Sequence, residues 1–422
     1  MKICIRGYDI YKNPVISNTR ISGLTVYTEN LLKYWRKNYP NLKFSFIRSS
    51  KTELLKKPRI IDGICVYGIN TKIDKETVSK KKKLLVDEVG NSDNPTYAYR
   101  AAQFASIINH ECPDVVNLHN TRPAVEYIWA KKKGFLKTNF KTILTLHDLF
   151  EQPMLFIAKH IEYFDYLVAI SGYVLKKIKS YGIADEKIKV INPGVDIADY
   201  KQKISLSKNP KAISKLKNKI GINELNKNNS FLILMPSRRV EHKGHLVAFE
   251  ALQQFCQLSN LKRKPYLFIS GKDISVGSKE TALYENRLYQ FVKKSHLLEK
   301  VIFLPKLSSQ ELCLLYQLVD VVLTPSTQAE GFCFSNIEAM LSRVPVVTSK
   351  MGGPLDYIVH NKTGYFVSPG DVQSIFNVLC DIYKNPPNEE LLDGAQKKAS
   401  SFTIKNMAEN YLKLYKQVMD GC

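Results

Sequence analysis

Two carboxylates at a spacing of eight residues, Glu330 and Glu338, follow the short apolar run Val321–Thr324. Gly331 lets a ligand approach the backbone between them, and the N–H groups at the start of the helix that follows can bind an anion. Because Cβ atoms tilt towards the start of a helix, we expect Glu338 to point back to that anion site. Taken alone, the segment is equally consistent with such a ligand site and with a structural role, in which Glu338 offsets the helix dipole and Glu330 is an acid in a surface loop.

A group of cations follows another apolar run, in the segment Pro236-Ser237-Arg238-Arg239-Val240-Glu241-His242-Lys243-Gly244. Arginine presents a planar fork to a phosphate, lysine presents a compact charge, and Gly244 allows close approach beside Lys243. A solvated charged turn is the alternative interpretation. We favour a phosphate site because ligands of open α/β sheets bind at the carboxyl ends of the strands.

These two segments belong to a set of short stretches that spans most of the chain and is densest between residues 231 and 371. They are Arg238 with Lys243-Gly244, Glu330 with Glu338, Met351-Gly352-Gly353-Pro354 with Thr363-Gly364, Ser22-Gly23-Leu24, Pro113-Asp114-Val115-Val116, Thr145-Leu146-His147-Asp148, Ala169-Ile170-Ser171 and Asn192-Pro193-Gly194-Val195-Asp196. By the order and spacing of these stretches, the sequence resembles the retaining GT-B glycosyltransferases of family 4, which are also called glycosyl transferases group 1.

The resemblance implies a role for each matched side chain in the second half of the chain. Arg238 and Lys243 would clamp the diphosphate of a nucleotide sugar, Glu338 would bind the ribose, and Glu330 would bind the sugar. Of these, Arg238, Lys243 and Glu330 are the candidate catalytic residues. Backbone amides would complete the phosphate site at Gly23, Gly331, Phe332, Cys333 and Phe334.

In the first half, the resemblance points to a histidine near the transferred sugar. His119, in Asn117-Leu118-His119-Asn120, matches the family's histidine and is the fourth candidate catalytic residue. His147 is a second candidate. A histidine after a strand can also be a buried side chain whose hydrogen bonds are satisfied within the fold.

The implied reaction is transfer of a hexose or N-acetylhexosamine, with retention, from a UDP- or GDP-linked donor to a lipid-linked or polysaccharide acceptor in envelope glycan biosynthesis. By resemblance, the acceptor attacks on the leaving-group face and the departing phosphate takes its proton, so no enzyme nucleophile is needed. The chain contains no D-x-D motif. We therefore expect no required metal and no cofactor beyond the donor substrate.

Two other functions stay open at this point. A nucleotide-sugar epimerase can use the same fold, although the match at Gly23 together with the two glutamates argues against it. The chain could also be a non-catalytic protein that binds nucleic acid or an anionic surface. Nucleic acid is the weaker possibility because no RNA- or DNA-binding motif accompanies the positive charge.

Several positions depart from the family pattern. The family usually has glycine at the positions of Ser22, Cys333, Pro305 and Arg343, and proline at the position of Asn336. The changes at residues 22 and 333 could narrow the phosphate site. Residue 305 lies near the expected nucleobase loop, so the sequence leaves the identity of the base open.

Short apolar runs alternate with amphipathic segments, which predicts β-α units around parallel sheets. The expected fold is α/β of the GT-B type, with two doubly wound Rossmann-like domains facing across a cleft. A capping box, Ser308 with Glu311, predicts the start of a helix that ends at Leu318. The predicted strands are Lys2–Arg6, Lys43–Ile47, Val115–Leu118, Lys141–Leu146, Tyr166–Ile170, Ile188–Ile191, Phe231–Met235, Tyr266–Ile269, Val301–Leu304, Val321–Thr324 and Val344–Thr348.

The predicted domains are an acceptor-side domain at residues 1–195 and a donor-binding domain at 196–403, and 422 residues with 44% hydrophobic content suffice for two cores. The amphipathic helix in 404–422 is expected to pack back on the first domain. The segment 192–229 is polar and lysine-dense, which places the boundary at its start.

The net charge of +23 is concentrated before residue 301, where cations exceed acids by 25. This excess suggests an anionic membrane surface as a partner, with the basic segment Lys51–Lys83 as the contact, although a lysine-rich composition can also reflect an AT-rich genome. The eight cysteines show no metal-ligand or C-x-x-C spacing and are expected to be reduced. Without a secretory signal or a long apolar stretch, the expected location is cytoplasmic, including the cytoplasmic face of the membrane.

Overall fold

The computed structural model describes residues 1–7, 23–50, 58–70, 95–147, 151–206, 209–225, 228–259, 261–271 and 279–421. These residues form two compact units, one of Met1–Gly194 with Ile404–Cys422 and one of Val195–Thr403. Each unit has its own sheet with helices connecting the strands. The chain therefore has the α/β architecture of two Rossmann-like domains that the sequence predicts.

The first unit is built on an eight-stranded sheet. Its strands are β1 (Lys2–Arg6), β2 (Lys43–Ser50), β3 (Arg59–Ile61), β4 (Ile64–Asn70), β5 (Val115–His119), β6 (Lys141–Leu146), β7 (Tyr166–Ala169) and β8 (Ile188–Val190). They lie in the order β3-β4-β2-β1-β5-β6-β7-β8, and all neighbours are parallel except β3 and β4. Successive strands are added towards one edge of the sheet from β1 and towards the other edge from β5, so the strand order reverses between β1 and β5. The carboxyl end of β5 therefore lies at the switch point where such folds bind ligands.

Helices cover the faces of this sheet, which explains why its central strands are continuous apolar runs. The helices are α1 (Gly23–Asn38), α2 (Pro95–Glu111), α3 (Thr121–Lys132), α4 (Glu151–Ala158) and α5 (Gly172–Lys179). A buried ion pair holds the end of β1 to α3: Arg6 is 1% exposed, and its Nη2 lies 2.8 Å from Oε2 of Glu126, which is fully buried. Arg100 adds a second guanidinium, 3.8 Å from the other carboxylate oxygen.

The second unit has a six-stranded, fully parallel sheet. Its strands are β9 (Ser230–Pro236), β10 (Lys264–Ser270), β11 (Val301–Phe303), β12 (Val321–Thr324), β13 (Val346–Ser349) and β14 (Tyr365–Val367). The order β11-β10-β9-β12-β13-β14 reverses between β9 and β12. Ligands of doubly wound sheets bind at this switch point, outside the carboxyl ends of the strands.

The helices of the second unit bury their apolar faces against this sheet, and the resulting core includes Phe231, Phe249, Leu288 and Leu379. They are α6 (Ile197–Leu206), α7 (Pro210–Ile220), α8 (His245–Cys256), α9 (Lys279–Lys294), α10 (Ser309–Leu318), α11 (Phe334–Leu341), α12 (Val372–Lys384) and α13 (Glu389–Ala399). The predicted capping box is confirmed, since the side chains of Ser308 and Glu311 each accept from the other's backbone N–H.

The last helix, α14 (Ile404–Asp420), belongs to the first unit. The indole of Trp35 donates to the carbonyl of Ala408 at 3.0 Å, and the hydroxyls of Tyr27 and Tyr411 lie 2.6 Å apart. These buried contacts join α14 to α1 by hydrogen bonds as well as by apolar packing. They give the end of the chain a fixed place in the first unit.

The predicted strands agree with the observed ones to within a few residues, but three strands were not predicted. They are β3, β4 and β14, and each of β3 and β14 is only three residues long and lies at a sheet edge. Short edge strands bury little surface, so they carry a weak hydrophobic pattern. Ile60, in the middle of β3, is 70% exposed.

Candidate functional site

The segments 236–244 and 330–338, which contain the candidate ligand-binding residues of the second unit, follow β9 and β12 and lie at the carboxyl ends of these strands. Gly244 follows the short 3₁₀ helix Glu241–Lys243 with φ +73°, a left-handed conformation that suits glycine. A Cβ atom at this position would lie 2.0 Å from the carbonyl oxygen of Pro325, which follows β12. Only a glycine therefore allows the loop after β9 to approach the loop after β12 this closely.

The adjacent arginines of the β9 loop have different environments. Arg239 is buried, and it pairs with Glu285 at 3.2 Å, donates to the carbonyl of Leu304 at 3.2 Å, and lies 5.0 Å from the centroid of the Phe303 ring. Arg238 is exposed. Arg239 thus supports the fold, while the side chain of Arg238 is exposed and free to contact a ligand.

Lys243 and Glu330 form an ion pair through Nζ and Oε2. The hydroxyl of Ser326 donates to the other carboxylate oxygen of Glu330. Burial alone would raise the pKa of the Glu330 carboxyl, but the charge of Lys243 and the hydrogen bonds from Lys243 and Ser326 outweigh it and hold the pKa below its usual range. The candidate phosphate ligand and the candidate sugar ligand are therefore adjacent, and Glu330 is ionised.

The backbone that carries Glu330 rests on two glycines. At Gly352 a Cβ atom would lie 2.4 Å from the carbonyl oxygen of Glu330, and at Gly353 it would lie 2.3 Å from that of Gly331. The N–H of Gly353 donates to the Glu330 carbonyl at 2.8 Å. The matched segment Met351–Pro354 therefore positions the Glu330 loop from behind.

Cys333 precedes α11 with φ +65°, so this non-glycine residue occupies the left-handed region. Tyr357 supports the turn, since its hydroxyl donates to the carbonyl of Phe332 at 2.7 Å. Burial raises the pKa of the Cys333 thiol to about 12, so the thiol is neutral and unreactive at physiological pH. The backbone amides of residues 331–334 lie in the turn that leads into the first turn of α11, where an anion is stabilised.

Asn336 is fully buried in α11, at the position where the family usually has proline. Its Oδ1 accepts from the Thr324 hydroxyl at 2.8 Å, and its Nδ2 donates to the Thr348 and Tyr357 hydroxyls, both at 3.3 Å. This amide therefore links the ends of β12 and β13 to the loop that contains residue 333.

Glu338 lies in the second turn of α11, and Tyr316 of α10 donates a hydrogen bond to its Oε2 at 3.1 Å. Burial raises the pKa of the Glu338 carboxyl to about 7, although Tyr316 and the charge of Lys203 act in the opposite direction. This carboxyl therefore binds a proton more readily than an exposed glutamate does. Its backbone carbonyl accepts from the Tyr200 hydroxyl at 2.8 Å.

In the first unit, the two candidate histidines are in direct contact. His119 Nδ1 lies 3.0 Å from His147 Nε2, and both rings form T-shaped contacts with the ring of Tyr27. Burial lowers the pKa of His119 to about 3, and burial together with His119 lowers the pKa of His147, so both rings are neutral. His119 Nε2 is buried, and no described residue forms a hydrogen bond with it.

Gly23 is a residue of α1, whose described part begins there. Ser22, Asp148 and most of the predicted basic segment Lys51–Lys83 lie outside the described residues.

Sequence reasoning missed two side chains that contact candidate ligands, Ser326 and Tyr316, and a third, Ser335, that joins the first turn of α11 to the end of β9. Ser326 donates to Glu330, Tyr316 donates to Glu338, and Ser335 donates to the carbonyl of Pro236 at 3.0 Å. Ser326 could have been found from its position directly after β12. Tyr316 gave no signal, because it lies on the buried face of a helix that reads as ordinary core.

The described ranges contain no group of three or more His, Cys, Asp or Glu side chains placed to bind one metal ion. Within the same ranges, no helix has the length and apolar character needed to cross a membrane. The described cysteines are all free thiols.

Two family models match the chain. The model of glycosyl transferases group 1 matches residues 217–400, and the model of glycosyltransferase family 4 matches residues 82–199. The first match includes Arg238, Lys243, Glu330 and Glu338, and the second includes His119.

Several curated proteins with related sequences are themselves named as glycosyltransferases. The lipopolysaccharide 1,2-N-acetylglucosaminetransferase of Salmonella typhimurium is 23% identical over 341 residues, which is 81% of this chain and 81% of that protein. The alpha-1,3/1,6-mannosyltransferase ALG2 of Homo sapiens is 32% identical over 150 residues, 35% of each chain. The O-antigen chain mannosyltransferase of Salmonella typhimurium is 27% identical over 64% of this chain and 68% of that protein.

Solved structures share the fold over the whole chain. HepE of Anabaena, solved in complex with UDP and glucose, has a TM-score of 0.73 at 20% identity and covers 99% of this chain and 100% of its own. The sucrose-phosphate synthase of Thermosynechococcus elongatus has a TM-score of 0.75 at 15% identity, with 100% of both chains covered.

Proposed function

The chain belongs to the GT-B glycosyltransferases of group 1 and family 4, and we propose that it transfers a hexose or N-acetylhexosamine from a UDP- or GDP-linked donor. The proposed acceptor is a lipid-linked glycan or a polysaccharide in envelope glycan biosynthesis. The single observation that carries the proposal is the contact between Lys243 and Glu330 at the switch point of the second sheet. It joins a cation suited to a diphosphate and a carboxylate suited to sugar hydroxyls. The names of the bacterial relatives support the acceptor class.

Arg238 and Lys243 bind the donor diphosphate. Cleavage of a glycosyl-phosphate bond builds negative charge on the leaving phosphate, and fixed cations stabilise that charge in the transition state. Lys243 is paired with Glu330. A diphosphate brings Lys243 a second anionic partner, and the carboxylate can then accept hydrogen bonds from the sugar.

Glu330 binds the sugar and Glu338 binds the ribose, while backbone amides complete the phosphate site. The N–H groups that we assign to this task are those of Gly23, in α1, and of Gly331, Phe332, Cys333 and Phe334, in the turn into α11. His119 contributes a neutral imidazole whose buried Nε2 can form a hydrogen bond with a hydroxyl of the transferred sugar.

The reaction retains the anomeric configuration without an enzyme nucleophile. Glu330 is engaged by Lys243 and Ser326, which suits a sugar-binding carboxylate better than an attacking one. The acceptor hydroxyl attacks on the face that the phosphate leaves, and a phosphate oxygen takes the hydroxyl proton. The bond to phosphate breaks as the bond to the acceptor oxygen forms, so charge and protons balance.

The reaction does not require a divalent metal, because two protein cations neutralise the diphosphate in the place of a metal. We further propose that the protein acts at the cytoplasmic face of a membrane. The excess of 25 positive charges before residue 301 favours attraction to anionic lipids, at about 1 kcal/mol for each lysine near the surface.

A donor panel tests the proposal. Purified protein is incubated with UDP-, GDP- and ADP-linked sugars, with and without a lipid-linked glycan fraction, and nucleotide release and sugar mass are followed by mass spectrometry. We expect release from one donor class that depends on the acceptor fraction and is lost in Lys243→Ala. Lys384→Ala, at an exposed lysine in the last turn of α12 of the same unit, is the matched control and should retain activity.

Other outcomes would contradict the proposal. Conversion of the donor sugar to its epimer without an acceptor would indicate an epimerase. Salt-dependent binding to nucleic acid with no response to any nucleotide sugar would indicate a binding protein.

A further inference from the structure

Tyr316 contacts the carboxylate that the proposed function assigns to the ribose. Its hydroxyl donates to Glu338 Oε2 at 3.1 Å, and its side chain is 1% exposed. The capping box at the start of α10 fixes the helix that carries it. A buried phenol in a helix with a defined start has little freedom, so the carboxylate oxygen it meets is held in one place.

The same phenol also touches the backbone of α11. The Tyr316 hydroxyl lies 3.5 Å from the carbonyl oxygen of Ser335, one turn before Glu338. Ser335 in turn donates to the carbonyl of Pro236, the last residue of β9. Tyr316 therefore sits at the junction of α10, the first turn of α11 and the end of β9.

Charged and titratable groups face Glu338 from several elements. Tyr316 and Cys313 lie on α10, Tyr200 and Lys203 on α6, and Cys333 precedes α11. Lys203 is the one cation in this set, and it is itself paired with Asp199 at 2.5 Å. The Tyr316 hydroxyl is thus the direct hydrogen-bond donor to this carboxylate among the described residues.

We infer that Tyr316 is the positioning residue for Glu338: its hydroxyl holds Oε2 in place and leaves Oε1 to accept hydrogen bonds from the ribose hydroxyls of the donor. The inference rests on the proposed function, which supplies the ribose. Ribose hydroxyls donate well to a carboxylate and poorly to a neutral carboxyl, whose own O–H competes as a donor. Tyr316 therefore acts on donor affinity through Glu338 and need not touch the donor.

The expected effect of losing the phenol depends on pH. Burial already raises the pKa of Glu338 to about 7 with Tyr316 in place. If Tyr316→Phe raises this pKa by about one unit, the ionised fraction falls about fivefold at pH 7 and by less than twofold at pH 9. A purely structural defect would instead weaken binding by the same factor at both pH values.

The test uses nucleoside diphosphates alone, so it is independent of the acceptor. UDP, GDP and ADP are titrated by calorimetry against wild type, Tyr316→Phe and Tyr200→Phe between pH 6 and pH 9. Taking the ratio of variant to wild-type affinity at each pH removes the titration of the diphosphate itself. Tyr200→Phe is the matched control, because that hydroxyl donates to the backbone carbonyl of Glu338 and not to its carboxylate.

We expect the affinity ratio of Tyr316→Phe to fall about fivefold at pH 7 and to return to within twofold at pH 9, and that of Tyr200→Phe to be independent of pH. Equal ratios at both pH values for Tyr316→Phe would overturn the inference while leaving the proposed function in place. Failure of wild type to bind any of the three nucleotides would overturn both.

A second variant covers the case in which Tyr316→Phe does not fold. Incorporation of 3-fluorotyrosine at position 316 retains the ring and makes the phenol a stronger hydrogen-bond donor. The pH at which nucleotide binding is half lost should then shift downward relative to wild type, because a stronger donor favours the ionised form of Glu338. An unchanged or upward shift would refute the role of this hydroxyl.

Discussion

Replacing Gly244 by alanine probes the close approach of the loops after β9 and β12. The new Cβ atom would lie 2.0 Å from the carbonyl oxygen of Pro325, whereas ordinary contact begins at 3.4 Å. One loop must therefore move by more than 1 Å, and the atom in the way belongs to the backbone and cannot rotate aside. The substitution therefore carries the free-energy cost of this clash as well as that of an alanine in the left-handed backbone conformation.

Gly221 provides a matched control in the same unit. It ends α7 with φ +70° and ψ +33°, almost the same conformation as Gly244 with φ +73° and ψ +30°, but a Cβ atom there meets nothing within 4 Å. We expect Gly221→Ala to cost about 1 kcal/mol of stability from the backbone conformation alone. Overpacking adds about 1–3 kcal/mol, so Gly244→Ala should lose about 2–4 kcal/mol.

The same movement should weaken nucleotide binding. Gly244 follows Lys243 directly, and Pro325 precedes Ser326, whose hydroxyl donates to Glu330. Pushing these loops apart separates the groups assigned to the diphosphate and to the sugar. We expect at least tenfold weaker binding of the cognate nucleoside diphosphate in Gly244→Ala, and less than twofold change in Gly221→Ala.

The stability assay must report the second unit. Both tryptophans of the chain, Trp35 and Trp129, lie in the first unit, so tryptophan fluorescence would follow the wrong part of the molecule. Native-state hydrogen exchange with mass spectrometry gives the opening free energy of peptides from β9 and β12 directly. Calorimetric titration with the nucleotide measures binding on the same samples.

Equal losses of stability in the two variants would refute the reasoning, because only the predicted clash distinguishes them. Unchanged nucleotide binding in a destabilised Gly244→Ala would show that the loops relax without separating the site groups.

Five further outcomes follow from the sequence and the structure. Lys243→Ala should lower kcat, with a loss of transition-state stabilisation of about 3 kcal/mol, whereas Glu338→Gln should chiefly raise the donor KM, as steady-state kinetics with the identified donor will show. Glu126→Gln leaves the buried charge of Arg6 uncompensated and should lower the free energy of unfolding by about 3 kcal/mol. Urea unfolding followed by tryptophan fluorescence measures this change. Glu389→Gln, which removes an exposed ion pair with Arg343, should by contrast change the stability of its own unit by less than about 1 kcal/mol in hydrogen exchange. Activity should survive chelation of divalent metals, and loss that magnesium or manganese restores would contradict this. Co-sedimentation should show binding to anionic vesicles that weakens as salt rises, and equal binding to neutral vesicles would contradict a charge-driven contact.

The central strands were predictable because they are buried on both faces and therefore read as continuous apolar runs. The hairpin of β3 and β4 gave a different signal that the periodicity did not capture. Its turn is Asp62-Gly63, with φ +46° and +72°, and an Asp-Gly pair is a strong indicator of a tight hairpin. The turn chemistry could have identified this edge even though Ile60 is largely exposed.

Within the site, the sequence predicted which segments carry chemistry but not which side chains meet. Arg238 and Arg239 are adjacent and identical in type, and only the packing of Arg239 against Phe303 and Glu285 separates the exposed guanidinium from the buried one. Residue type and spacing carry no information about that difference. A side chain that acts only by holding another side chain in place has no sequence motif that identifies it.

The changes from the family pattern at Cys333 and Asn336 act on the same turn. A left-handed cysteine costs about 1 kcal/mol relative to glycine, so the turn needs support from elsewhere. Asn336 Nδ2 donates to the Tyr357 hydroxyl, and that hydroxyl donates to the carbonyl of Phe332, the residue before Cys333. A proline at position 336 has no side-chain amide and could not fix Tyr357 in this way. The asparagine thus stabilises the backbone conformation that the cysteine makes less favourable, and this conformation directs the amides proposed to bind the donor phosphate.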